Sequence, residues 1–462
     1  MPTGPERFVE HPAYETEFTR ARALLLAHPG RWRVLYHYDG DGIASASSAL
    51  RALARLGYPA QATPFVGVER ERMAALLKAT PGPVLVVDTG ASWLDLYAAH
   101  GAPVIVLDHH QYPGAPTPPK LPESVAFVNP LDWGVDGMSE LCAGTLTWLY
   151  TIFLDPVNWD NAPWGLSGGI SDRQHVGGFH GLSKTLVDEA ARRSLVRPTR
   201  GLRLGSGPIG DALTHAIDPF FRGLSGRPDR VIDLLKGLGI DPATPVGALG
   251  PDPEKRLTEA LRGHLTQQKV RPEFVELLVQ DGWWVPSWGV DAQEIANWQN
   301  ASGRAGTPGI GVAMALGDPS ALDRAKAAET AWRKGILEGL LRLEAGGIKD
   351  RGSVQWFESP DTTLAGTQAG LAMNYLLDPF RPVVVFTASP GGETKVSARG
   401  TPWLVGQGLD LASACRTAAA AVGGEGGGHR VASGATIATD RRDAFLAEMD
   451  RLVGPQLKEL RP

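Results

Sequence analysis

The stretch YHYDGDGIASASS, Tyr36–Ser48, places His37, Asp39 and Asp41 at alternating positions and follows the second aspartate with glycine. Alternation along a strand sends all three side chains to one side, and the glycine permits a sharp turn there. Three donors facing one way make either a solvated loop or a metal site. Two apolar runs farther on also end in acids, Asp88 in VLVVDTGAS and Asp108 in VIVLDHHQ. A stretch of small apolar residues ends in Asp172 in SGGISDRQ, and His109 and His110 follow Asp108 directly. Oxygen donors mixed with a few imidazoles suit Mn²⁺ or Mg²⁺, and the set exceeds what one ion needs. Two ions sharing a bridging carboxylate satisfy the count; such a pair activates water and stabilises the leaving oxygen of a phosphate ester. An aspartate after a strand is often only a turn or cap residue. Repeated at several strand ends, that reading becomes poor for the set, and Asp108 is the one best suited to support its neighbours.

These residues need elements to hold them. From about 31 to 130 the pattern alternates short apolar strands (RVLYHYD, QATPFV, PVLVVD, PVIVLD) with helical stretches, which predicts β-α-β units and a parallel sheet. In such sheets ligands sit at the carboxyl ends of strands, where the acids lie. The spacing predicts an apolar helix over 139–154 with Ser139 as its cap. Residues 190–208, rich in Arg, Gly and Pro, look like a boundary, and 209–282 read as mostly helical. A helix over 320–343 leads into a second small α/β region from about 350. The expected division is 1–200 with 285–345 packing on it, 201–284 as a helical insertion, and 346–462 as the last domain.

Bulk composition narrows the class. A chain of 462 residues is too long for one ordinary core. With 43% apolar and 21% charged residues it reads as soluble, and no apolar run approaches the ~20 residues of a membrane helix. Two distant cysteines, Cys142 and Cys415, exclude a disulfide scaffold and a cysteine zinc site. The polar start at MPTGPERFVEHPAYETEF has no apolar leader core, so a cytoplasmic location is expected. A net charge of -5 gives no global signature of nucleic-acid binding, although only the local field along a groove matters.

Taken in order, HYDGDG, VVDTG, LDHH and GGISDRQ resemble the four motifs of the DHH phosphoesterase superfamily. Near the C-terminus, KVSARG and GGEGGGHRVASGATI resemble the arginine and glycine-rich motifs of the DHH-associated domain. The resemblance covers nearly the whole chain. It implies an α/β fold: a parallel-sheet DHH domain, a helical insertion, and a smaller α/β DHH-associated domain that binds substrate across a cleft. It implies one ion on His37, Asp39 and Asp88 and another on Asp41, Asp88, His109 and Asp172, with Mn²⁺ as the metal and Mg²⁺ as the alternative. Asp108 then supports, and His110 contacts the scissile phosphate. Ser397, Arg399, Gly426, Gly427, Gly428 and His429 would grip neighbouring phosphates, the glycines as a loop offering backbone N–H groups.

Within the superfamily, GPIGDALTHAIDPFFRGLSG, LLKGLGI and NASGRAGTPGIGVAMALGD resemble the archaeal-type RecJ-like exonucleases. That implies a two-metal phosphodiesterase releasing nucleotides from ends of single-stranded DNA or RNA, in DNA replication or repair. It also names GINS, a replication complex, as a partner for the insertion. The alternatives are a nano-RNase or other small-nucleotide phosphoesterase and a non-enzymatic replication scaffold; a pyrophosphatase fits the long insertion poorly. Asn300 and Arg304 in NASGR are further substrate contacts or helix-end residues. Arginines 192, 193, 197, 200 and 203 read as a solvated face before a strand channel, and Trp283, Trp284 and Trp288 as packing before base stacking.

Overall fold

The structure is a computed structural model and describes residues 12–66, 69–117 and 120–460. Residues 1–11, which carry most of the polar start, lie outside them. The chain forms two compact units, one taking it up to Gly201 together with Gln280–Thr330, the other taking Leu202–Val279 and the chain from Ala331 onward. Residues 331–345 therefore fall in the second unit.

The first unit opens with helix α1 (Pro12–Leu26), followed by β1 (Trp32–His37), α2 (Gly40–Arg55), β2 (Ala60–Phe65) and α3 (Arg70–Lys78). After these come β3 (Val84–Val87), α4 (Leu94–Ala98), β4 (Val104–Leu107) and β5 (Val125–Val128). The strands make a parallel sheet in the order β2-β1-β3-β4-β5. Successive side chains alternate between its faces. Val34, Tyr36, Leu85, Val87, Ile105 and Leu107 enter one core, and Leu35, Val84, Val86, Val104 and Val106 the other. Burial of each large side chain contributes about 1.5–3 kcal/mol relative to exposure. A strand buried on both faces has little use for polar residues until its end, which is why the acids wait there.

Next come α5 (Ala143–Leu154), α6 (Ala162–Ser171), α7 (Gly181–Arg192) and β6 (Arg197–Leu202). Helix α2 is buried from Gly40 to Leu50 against α5 and α6. Its small residues allow that approach, and two of its hydroxyls are satisfied within the helix, Ser45 donating to the Asp41 carbonyl and Ser47 to that of Ile43. The helix expected over 139–154 begins only at Ala143, with Cys142 at its cap position. Ser139 is not the cap, because its hydroxyl donates instead to Asp136 at 2.6 Å.

The stretch from Leu202 is helical, with α8 (Ile209–Thr214), α9 (Pro228–Gly237), α10 (Pro251–Gln267) and α11 (Pro272–Glu276). The chain then re-enters the first unit as β7 (Val279–Val285), β8 (Val290–Asp291), α12 (Ala292–Arg304) and α13 (Pro308–Ala315). A buried relay fastens α12: Ser167 donates to Gln299 Oε1 at 2.6 Å, and Gln299 Nε2 donates to Ser47 at 3.3 Å.

Helix α14 (Pro319–Arg342) leads on to β9 (Lys349–Arg351), β10 (Val354–Glu358), α15 (Thr362–Tyr375), β11 (Val383–Ser389) and β12 (Glu393–Arg399). Then come α16 (Pro402–Gly406), α17 (Leu411–Ala421), β13 (Glu425–Gly428), β14 (Ala432–Ala438) and α18 (Arg442–Val453). The sheet order is β13-β14-β12-β11-β10-β9, mixed in direction, with β10 and β11 parallel. Together with the helical stretch 202–279 it shares one apolar core. Among the described residues no helix is long and apolar enough to cross a membrane.

Candidate metal centre

Register brings the strand ends together. Tyr36 pairs with Val87 and Val87 with Leu107, so His37, Asp88 and Asp108 leave three adjacent strands in one row. The sequence order of these strands reverses at β1, which is where open α/β sheets place their ligands. Asp88 stands at φ 58, a left-handed conformation uncommon outside glycine, asparagine and aspartate.

Of the HYDGDG residues only His37 belongs to a strand. The simple alternation of His37, Asp39 and Asp41 therefore does not hold. Asp39 caps α2, its Oδ1 accepting from Gly42 N–H at 3.2 Å, and Asp41 lies in the first turn. The residues converge as two sets instead. His37, Asp39 and Asp88 form one, with His37 Nδ1 3.0 Å from Asp39 and 3.6 Å from Asp88 Oδ2. Asp41, His109 and Asp172 form the other, His109 Nε2 being 3.8 Å from Asp41 Oδ2 and 3.3 Å from Asp88 Oδ1. The two oxygens of Asp88 thus face different sets. A third grouping joins Asp88, Asp108, His109 and His110.

Asp41 is held from another element. Its carboxylate accepts from Ala143 N–H and Gly144 N–H at the start of α5, at 3.0 and 2.9 Å, and from the Cys142 thiol at 3.2 Å. Helix N-termini favour anions, so Asp41 supplies the cap that Ser139 does not. Asp172 follows α6, not a strand, and its buried Oδ2 has no hydrogen-bond partner. Asp108, fully buried, accepts from the N–H groups of Ala91, His109 and His110 and lies 2.7 Å from His110 Nδ1. Its own bonds keep it occupied as a support, while the His110 side chain is half exposed.

Electrostatics follow from this crowding. Burial, reinforced by the charges of Asp88 and Asp172, pushes Asp41 well above the usual carboxylate range. Burial likewise raises Asp172 to about 6, against the pull of His109. Burial works against protonating His37, but its hydrogen bonds and charge contacts with Asp39 and Asp88 prevail and lift it to about 11. His109 is raised for the same reason, by Asp88, Asp172 and Asp41. Burial opposes the ionised form of Asp108, yet His110 and His109 bring it down to about 2, and Asp108 lifts His110 to about 9.

An oxygen-rich donor set with two available imidazoles, several buried carboxylates and an unpartnered Asp172 oxygen fits a pair of hard divalent cations. A cation must displace protons from His37 and His109, since only neutral imidazole ligates. Mn²⁺ loading at neutral pH is expected to release protons, and affinity to fall as pH falls. Calorimetry in buffers of differing ionisation enthalpy measures that release; buffer-independent heats would contradict it.

The structure brings Asn300 and Arg304 to this loop as well. A Cβ built on Gly40 would lie 3.2 Å from Asn300 Cβ, and Arg304 stands over the Tyr38 ring at 5.8 Å. In the second unit Ser397, Gly434 and Gly427 form one row across β12, β14 and β13, with Arg399 at the end of β12. Gly426–Gly428 are an edge strand, not a loop; His429 lies in the turn beyond, its N–H donating to Ala432 O at 2.8 Å. A Cβ on Gly426 would meet the Cys415 carbonyl at 2.6 Å, whereas one on Gly427 meets nothing. Arg192 and Arg193 pair with Glu189, Arg200 pairs with Asp281, and Arg197 stacks on Trp284. Trp283 packs on Phe179 and Trp288 on Trp164, so both tryptophans serve packing.

Sequence reading missed the glycines that let these parts touch. A Cβ on Gly144 or Gly168 would lie 2.7 or 2.6 Å from Asp41 Oδ1, and one on Gly303 would lie 2.0 Å from the Tyr38 carbonyl. It also missed Gly137, whose carbonyl faces His109 Nδ1 at 2.8 Å. Gly303 and Gly168 stood within quoted motifs, but nothing local says what a glycine faces.

Comparison with known proteins agrees with this architecture. Residues 32–155 match the DHH family N-terminal domain and 361–454 the DHHA1 domain. An uncharacterized protein of Methanocaldococcus jannaschii is 27% identical over 439 residues, 94% of this chain and 96% of that one. RecJ of Thermus thermophilus in complex with Mn²⁺ superposes with a TM-score of 0.58 at 20% identity, over 97% of this chain. This chain spans about half of that RecJ, 55% of its length. CDC45 of Entamoeba histolytica gives 0.66 at 11% identity, over 98% of this chain and all of the other. The chain thus carries a DHH family N-terminal domain and a DHHA1 domain in a RecJ-like fold.

Proposed function

We propose that this protein is a metal-dependent phosphodiesterase that removes nucleotides from an end of single-stranded DNA or RNA. The observation that carries the reading is Asp88, whose two carboxylate oxygens face separate donor sets, His37 with Asp39 and Asp41 with His109 and Asp172. Two divalent ions held there, Mn²⁺ or in its place Mg²⁺, would supply Lewis-acid charge stabilisation and activation of water.

The chain's own groups do the rest. Asp108 fixes the His110 ring through Nδ1 and favours its protonated form, in which His110 donates a hydrogen bond to a phosphoryl oxygen. A histidine already protonated is not a general base, and no other side chain needs that role. Arg304 and Asn300 flank the Tyr38–Asp39 turn and would steady the substrate on that side. In the second unit Arg399, Ser397, His429 and the glycine edge Gly426–Gly428 would bind substrate phosphates. A Cβ built on Gly427 would meet nothing within 4 Å among the described residues, which leaves its backbone open to an anion. The same reading gives the helical stretch 201–284 a replication partner such as GINS, testable by co-purification with that complex.

Single-stranded DNA and RNA labelled at either end, incubated with Mn²⁺, test the activity. Mononucleotides are expected from one end only, and their order of appearance gives the polarity. Hydrolysis of dinucleotides without any attack on long strands would shift the assignment to a small-nucleotide phosphoesterase. If neither substrate is cut, the enzyme reading fails.

A further inference from the structure

Gln174 is buried, lies outside the donor sets, and has no part in the function proposed above. Its amide nonetheless makes directed contacts to two other segments. Nε2 donates to the Gly137 carbonyl at 2.8 Å, and Oε1 accepts from Cys142 N–H at 3.1 Å. Ser183 on α7 adds a longer bond of 3.4 Å to Oε1. Since a backbone N–H can only donate, Oε1 must be the atom facing Cys142, and the orientation of the amide is settled by its partners.

The consequences run to three donors of one set. The Gly137 carbonyl also faces His109 Nδ1 at 2.8 Å, and a carbonyl can only accept. His109 Nδ1 therefore carries a proton, and Nε2, which faces Asp88 and Asp41, is the nitrogen left to ligate a cation once its own proton is displaced. Cys142 begins the turn whose Ala143 and Gly144 N–H groups and thiol hold the Asp41 carboxylate. Asp172 stands two residues before Gln174 in a turn closed by Gln174 N–H on the Gly169 carbonyl at 2.9 Å. His37 and Asp39, by contrast, take their support from β1 and the α2 cap.

The geometry points to Gln174 as a positioning residue that assembles the Asp41–His109–Asp172 ion site selectively, leaving the His37–Asp39–Asp88 site to other supports. This rests on the two-ion reading proposed above. Outer hydrogen-bond partners of metal ligands typically change affinity by roughly 10–100-fold when removed. A general packing role would affect both sites or neither.

The test is Mn²⁺ titration of the full chain by calorimetry, with bound ions counted by electron paramagnetic resonance and melting temperature measured in parallel. Gln174→Met keeps length while removing both amide bonds. Gln174→Glu keeps the acceptor toward Cys142 and sets a second oxygen against the Gly137 carbonyl. Wild type is expected to bind two ions. Both variants should retain one site within about twofold and weaken the other by roughly 10–100-fold. Two wild-type affinities in Gln174→Met would overturn the assignment, as would equal weakening of both sites or unfolding of both variants. A wild-type chain that binds no Mn²⁺ refutes the two-ion reading itself, and this inference with it; the wild-type titration separates the two failures.

Discussion

Asp88→Asn should lose Mn²⁺-dependent hydrolysis by about a thousandfold or more while the chain stays folded. Stabilisation of transition-state charge by metals is worth several kcal/mol, and each 1.36 kcal/mol is a factor of ten. Among the described residues Asp88 is the carboxylate that faces both donor sets, so its loss compromises both at once. Asparagine keeps the shape of the side chain and tolerates the left-handed backbone at φ 58. Asp88→Ala should lose activity equally and in addition cost about 1 kcal/mol or more in stability, because alanine has no such tolerance. Rates on an end-labelled strand, compared with denaturant midpoints, separate the two effects. Residual activity of Asp88→Asn above a tenth of wild type would remove Asp88 from the centre of the mechanism.

Gly303→Ala should unsettle the same site from far along the chain. Its Cβ would stand 2.0 Å from the Tyr38 carbonyl and 3.4 Å from Asp39 Cα, so relief requires moving backbone and not a rotamer. Overpacking commonly costs 1–3 kcal/mol and occasionally more, and a backbone clash belongs at roughly 3 kcal/mol or above. The turn that would shift carries Asp39, so Mn²⁺ affinity should fall together with stability. Gly309→Ala, in the next helix, is the control: nothing lies within 4 Å of its Cβ. There a gain of up to about 1 kcal/mol is expected from helix propensity. If urea midpoints of the two variants coincide, the close contact between α12 and the Tyr38–Asp39 turn is not a constraint.

Much of the first unit could be read from the chain because strand burial leaves a direct imprint. VLVV and VIVL, β-branched-rich and apolar at every position, read as strands covered on both faces, and their terminal acids then share one edge. The motif order supplied the candidate donors that the fold brings together. The path of HYDGDG was not legible: an alternating strand and a capped helix start differ by two residues, and Gly42, only 2.1 Å from the His37 carbonyl when given a Cβ, decides for the helix. Ser139 looked like a cap, but the true cap arrives from Asp41 across space. The glycines 426–428 suggested a loop because glycine is poor strand material; pairing with Ser433–Ala435 makes them an edge. Gln174 sat inside a quoted motif, yet its work depends on a carbonyl at 137 and an amide at 142. Local pattern carries burial and periodicity; tertiary hydrogen bonds leave no local mark.

The return of the chain to its first unit at Gln280 has a consequence for biogenesis. Every candidate metal donor has left the ribosome soon after Asp172 is made, but the helix that presses on the Tyr38–Asp39 turn waits for residue 303. At ordinary elongation rates that gap is roughly ten seconds. During it the nascent chain carries a cluster of carboxylates with no finished frame around them. A message broken within the 202–279 stretch would yield a polypeptide with every candidate donor and an incomplete scaffold, a product for proteases to clear and not a smaller working protein.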